Sequence, residues 1–154
     1  MAGTIDARLR EMGITLPEAP APAANYVPYV RSGDLLFVSG QISQSAEGLI
    51  KGRLGDTMDV AEGAEAARRC GLSLIAQARA ALGGDLDRVA RVVKLTGFVN
   101  STPDFTDQPK VINGCSDMMV AVFGDAGRHA RAAVSAPALP LGVAVEIEAI
   151  FQIE

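Results

Sequence analysis

Between residues 143 and 151 apolar and acidic positions alternate. Val143, Val145, Ile147 and Ala149 share one face of an extended segment, and Glu146 and Glu148 share the other. A period of two predicts a strand over 143–152. Other apolar runs predict four further strands: one over 89–99, one over 130–136, and the two of a hairpin. In the hairpin, Val27 to Arg31 and Leu35 to Ser39 flank the turn residues Ser32-Gly33-Asp34. The period changes to that of a helix in the middle of the chain. Ala64, Ala67, Gly71, Leu74, Ala78 and Ala81 recur as a face of small residues, so this helix should lie close on its support. Asp59 with Glu62 reads as its capping box, and Gly83-Gly84 ends it.

Punctuation residues mark the remainder. A short helix over 4–12 is closed by Gly13, and Pro17, Pro20, Pro22 and Pro28 then hold the chain extended against the body. Gly40 to Gly55 reads as a polar, glycine-rich excursion. Thr102-Pro103-Asp104 opens a turn, and Pro109 starts a helix that ends near Gly124. The predicted order is β-β-α-β-α-β-β, an α+β fold with two helices on one face of a four- to six-stranded sheet. Residues 1–19 form an extension with its short helix, and 20–154 form one domain with no dividing linker. Nothing in this order covers the other face of the sheet except the N-terminal segment. Association is therefore expected; sheets brought together in a closed cyclic oligomer would leave clefts between subunits.

Composition narrows the function. At 154 residues, 49% apolar and 21% charged, the chain can bury a core without crosslinks. The net charge of −4, the absence of a Lys/Arg cluster and an aromatic content of 5% argue against a nucleic-acid partner. Cys70 and Cys115 lack metal-ligand spacing and read as small buried groups in a reducing compartment. No stretch reads as a signal peptide or membrane span, so a cytoplasmic protein with no membrane partner is expected. With one histidine and scattered acids, no metal site is expected. Gly124-Asp125-Ala126-Gly127 has neither the lysine nor the spacing of a phosphate cradle.

The chemistry concentrates near the C-terminus. Arg131 on one short strand and Glu146 on the next suggest an anion-binding cleft with a carboxylate beside it, because acids in an apolar segment need water or a cation. The guanidinium offers a bidentate fork; the other reading is a structural pair with Glu146 or Glu148. Ala133 and Ser135 share the face of Arg131 and are small enough to leave room for a ligand. Glu148 has the parity of Glu146 and fits an interface carboxylate. His129 is a substrate-binding candidate whose titration range suits proton transfer, or it caps a strand edge or binds a carbonyl. Tyr29 is either a cleft wall or ordinary packing. Asn113 and Gln41 are polar candidates with no assigned role.

Taken together these segments resemble the RidA family, also called YjgF or L-PSP endoribonuclease. The resemblance rests on Pro28-Tyr29, Leu36-Phe37-Val38-Ser39-Gly40-Gln41-Ile42, Val93 to Val99 with Phe98, and Ala130-Arg131-Ala132-Ala133-Val134. Leu139-Pro140 and Val145-Glu146-Ile147-Glu148-Ala149-Ile150 complete it. It spans roughly residues 20 to 153. It implies a chorismate-mutase-like fold, a barrel-like homotrimer, and cofactor-independent hydrolysis of 2-imino or enamine acids to 2-keto acids and ammonia. By resemblance, Arg131 clamps the substrate carboxylate, Glu146 positions water near the imine, and Tyr29 lines the cleft. The chain departs from the best-studied branch at Ala133, where cysteine is usual, at His129, where proline is common, and in the extension through Ala19. The alternative is a non-enzymatic trimer that binds a small carboxylate or stabilises partners. A chorismate-mutase-like rearrangement rests on fold analogy alone.

Overall fold

Asp59 begins the longest helix as the sequence predicts. Its carboxylate accepts from the Glu62 backbone N–H at 2.8 Å, and the Glu62 carboxylate accepts from the Asp59 N–H at 3.2 Å. In the computed structural model, which describes residues 3–154, the elements in chain order are α1 (Thr4–Glu11), β1 (Tyr29–Ser32), β2 (Leu35–Ile42), β3 (Gln44–Ser45) and β4 (Gly48–Leu49). They continue with α2 (Val60–Ala81), β5 (Val89–Asn100), α3 (Gln108–Phe123), β6 (Ala130–Ala136) and β7 (Val145–Ile153). The main sheet has five strands in the order β1-β2-β7-β5-β6. All pairings are antiparallel except β5 with β6. The α+β reading therefore holds, with the short N-terminal helix where the sequence predicts it and a two-stranded β3-β4 ladder added.

Three strand boundaries differ by two residues or more from the sequence reading, the first being β1, which starts at Tyr29 rather than Val27. The second strand runs to Ile42, into the stretch read as an excursion. There Gln41 is buried, but its side-chain amide donates to the Ser39 carbonyl at 2.9 Å, so a polar residue sits inside the sheet at little cost. At the other end, β7 starts at Val145. Before it, the turn at Leu141 (φ 60°) and Gly142 (φ 76°) leads to Val143, which bridges Lys51.

Helices α2 and α3 cover one face of the sheet. The inward residues of β7 (Val145, Ile147, Ala149, Phe151 and Ile153) are buried with Leu74, Ile75, Val111, Ile112 and Met119. The small-residue face of α2 meets α3 closely. A methyl group on Gly71 would press on Cys115 and Met118, and one on Gly114 would overlap the backbone carbonyl of Ala64.

The extension belongs to this core. Leu9 of α1 is buried in it, and the Arg8 guanidinium donates to the Val122 carbonyl at the end of α3 at 2.7 Å. Gly3 provides no side-chain cap for α1. The cap comes from across the chain, where the two oxygens of Asp87 accept the N–H groups of Thr4 and Ile5, each at 2.9 Å. These bonds, that of Ile5 foremost, hold the Asp87 carboxyl below its ordinary 3.8. Their contribution is thus present above that range and lost as pH falls through the lowered value. Asp87→Ala is expected to cost about 1 kcal/mol. Calorimetric melting checks the cost, and hydrogen exchange at Thr4 and Ile5 should accelerate.

Candidate functional site

Strand β6 is an edge strand, and its alternation decides where Arg131 points. Ala133 packs against the core and pairs with Gly97, over which Ile112 of α3 lies. Arg131, two residues earlier, therefore faces the helix layer. Its Nη1 donates to Asn113 Oδ1 at 2.8 Å and to Ser116 Oγ at 3.2 Å, both on α3. Among the described residues no acid lies within ion-pair distance of Arg131. Nε and Nη2 have no protein acceptor there either, so the edge of the guanidinium that matches a carboxylate fork is open. The half-buried residue neither projects freely into solvent nor is locked into a dry ion pair.

His129 joins the same cluster. Nδ1 lies 2.6 Å from the Gly127 carbonyl and Nε2 lies 2.9 Å from Ser116 Oγ. Cys115, the neighbour of Ser116, is fully buried; burial pushes its thiol up to about 12, against the opposing pull of the nearby Arg131 charge. The thiol stays protonated and inert.

Glu146 lies elsewhere. The inward parity of Val145 and Ile147 turns it to the face without helices, opposite Phe98 of β5. There it lines a cleft of about 830 Å³ with Pro20, Pro22, Tyr26, Gly40, Gln41 and Leu141. A register shift between Val38 and Gln41 puts Gly40 beside it, and a methyl group at Gly40 would come within 3.0 Å of the Glu146 carboxyl. Burial, and then the neighbouring Glu148 charge, raise the Glu146 carboxyl above its ordinary 4.5. The ionised form therefore costs folding stability, a cost absent below the ordinary value and acquired as pH rises through the raised one. Glu146→Gln should melt higher than the native chain at neutral pH and level with it well below 4.5. A lower melting temperature at neutral pH would mean that the carboxylate sits in a favourable pair.

This geometry corrects the picture of an arginine and an acid converging from adjacent strands. Strand β5 lies between β6 and β7, and the two side chains leave opposite faces of the sheet. The other candidates are placed as follows. Tyr29 is half-buried against the core, and Tyr26, which the sequence reading passed over, lines the cleft instead. Ala133 packs against the core, and the exposed Ser135 shares a hydrogen bond with Ser101 at 2.6 Å. Glu148 is exposed on the open face beside Lys94 and Thr96. Ser116 was missed altogether. The available signal was its spacing of three from Asn113, which puts both on one helix face. The described residues contain no group of three or more His, Cys, Asp or Glu able to hold a metal ion, and no helix among them is long and apolar enough to cross a membrane.

Comparison with known proteins agrees with the fold. Residues 6–151 match the family described as "YjgF/chorismate_mutase-like, putative endoribonuclease". Protein TCP17 of Trypanosoma cruzi is 52% identical over 99% of this chain and 96% of its own length. The crystal structure of Atu1372 from Agrobacterium tumefaciens, a protein of unknown function, superposes with a TM-score of 0.91 at 48% identity, covering 97% of this chain and 92% of that one. A Shewanella oneidensis protein crystallised under the same endoribonuclease description gives 0.93 at 34% identity, covering 98% and 100%. The chain belongs to the YjgF/chorismate-mutase-like (RidA, L-PSP) family.

Proposed function

We propose that the chain hydrolyses reactive 2-imino or enamine acids to 2-keto acids and ammonia, without a cofactor, in clefts completed by a second copy of itself. The observation that carries this reading is the charge of Arg131, held in place by neutral partners with its fork edge unoccupied. A substrate carboxylate satisfies that edge and aligns the C=N carbon. Glu146, on the opposite face, reaches the same substrate only from an adjoining copy. Its raised proton affinity suits it to take a proton from water as the oxygen adds to the iminium carbon. The carbinolamine then regains a proton on nitrogen, expels ammonia and loses its hydroxyl proton to give the ketone.

The open face supports assembly. Val30, Leu35, Phe37 and Val134 are exposed large apolar side chains on the main sheet. A cyclic trimer that stacks such faces would cover them and bring one subunit's β6 edge toward the next subunit's cleft. RNA cleavage fits less well. The one histidine has both ring nitrogens engaged within the chain, and the net charge is −4.

The test is to mix purified protein with a 2-imino acid generated in place by an amino-acid oxidase, and to follow keto acid and ammonia. Release faster than in buffer is expected. No excess over buffer contradicts the hydrolase reading, and tight keto-acid binding without turnover favours a non-enzymatic carboxylate-binding trimer.

A further inference from the structure

The hydrogen bonds around Arg131 have a direction that one backbone group determines. The Gly127 carbonyl can only accept, so His129 Nδ1, 2.6 Å away, carries the ring proton. In the neutral ring Nε2 is then bare, and the Ser116 hydroxyl, 2.9 Å away, donates to it. With its hydrogen committed there, Ser116 Oγ turns its lone pairs to Arg131 Nη1 at 3.2 Å. Asn113 Oδ1 takes the same nitrogen at 2.8 Å. Nη1 carries two hydrogens and faces two acceptors, which fixes the plane of the guanidinium and leaves the Nε–Nη2 edge for a ligand.

We propose that Ser116, polarised by His129, is a positioning residue that holds Arg131 in its carboxylate-binding orientation without neutralising its charge. The proposal rests on the carboxylate-clamp reading of Arg131 given above. An acid in the place of Ser116 would hold the guanidinium as firmly but cancel the charge the substrate needs. A neutral oxygen avoids that loss only while its own hydrogen is turned away, and His129 keeps it turned away. His129 then acts only through Ser116, touching neither the guanidinium nor the ligand.

The experiment is calorimetric binding of 2-oxobutyrate, a stable 2-keto acid, to the full-length protein and its variants, with melting curves run alongside. Ser116→Ala should weaken binding about tenfold, the worth of one hydrogen bond to a charged group, with little change in melting temperature. Ser116→Thr, which keeps the hydroxyl, should restore it. His129→Phe should weaken binding by a similar factor, and the double variant should bind no worse than Ser116→Ala alone, because the two act in series. If Ser116→Ala fails to fold, His129→Phe and Ser116→Thr carry the test. Unchanged affinity in both Ser116→Ala and His129→Phe, while Arg131→Ala abolishes binding, overturns the positioning role alone. Additive losses in the double variant overturn the series arrangement. Unchanged affinity in Arg131→Ala overturns the carboxylate-clamp reading itself.

Discussion

Arg131→Ala should lose at least about 100-fold in kcat/KM for imino-acid hydrolysis, because a bidentate charge-assisted pair is worth roughly 3 kcal/mol or more. The loss should fall on keto-acid affinity as well, since the carboxylate is present in substrate and product alike. Melting temperature should barely move: the guanidinium has no ionic partner to leave behind, and its acceptors are an exposed Asn113 and a Ser116 that keeps His129. Arg131→Lys should not rescue the activity. A lysine supplies one compact ammonium where the site needs a planar fork that reaches Asn113, Ser116 and the ligand together. Steady-state kinetics with calorimetric binding measures both effects. An Arg131→Ala chain that retains its rate would show that the carboxylate is held elsewhere.

Gly114→Ala has the largest expected effect on stability. The α2–α3 crossing brings the backbone of Ala64 so close to Gly114 that any β-carbon would overlap the Ala64 carbonyl. Backbone cannot swing aside as a flexible side chain can, so the helices must separate. Separation loosens the packing of Cys115, Met118 and Ile112 under the sheet. The cost should be about 3 kcal/mol, which lowers the melting temperature by about 10 °C in a domain of this size. Asp117→Ala, at an exposed position of the same helix, should change it little. Calorimetry on the two variants side by side checks the claim, and equal melting temperatures would mean that the crossing is looser than described.

The two substitutions also show which parts of the molecule can be read from sequence. Local signals were sufficient for the elements. The Asp59–Glu62 box, the Gly83-Gly84 stop, Pro109 and the alternation over 145–151 each act within a few residues. That α2 lies close on its support was legible too, because small residues repeated at helical spacing, but not that α3 is part of that support. Strand order was not. The last two strands are consecutive in sequence, which invites pairing them, yet β5 inserts between them and pairs with both. That insertion, with the parity of each strand, sends Arg131 and Glu146 to opposite faces. The buried Gln41 hid the far end of β2, since its partner at 2.9 Å is a backbone carbonyl that composition does not reveal. Tyr26 and Ser116 escaped notice for a related reason. An extended proline-rich segment and a mid-helix serine carry no local mark of what lies opposite them in space.

The opposite-face geometry makes the central claim testable through subunit mixing. Arg131→Ala and Glu146→Gln each remove one half of every site if the two residues meet across a boundary between copies. Co-expressed with distinct tags and purified as mixed oligomers through both tags, the two inactive variants should regain roughly a third of native activity per subunit. Every cyclic trimer that contains both variants has one intact site of three, whichever variant is in the majority. Mixed trimers that form and stay inactive would contradict a site shared between neighbouring subunits.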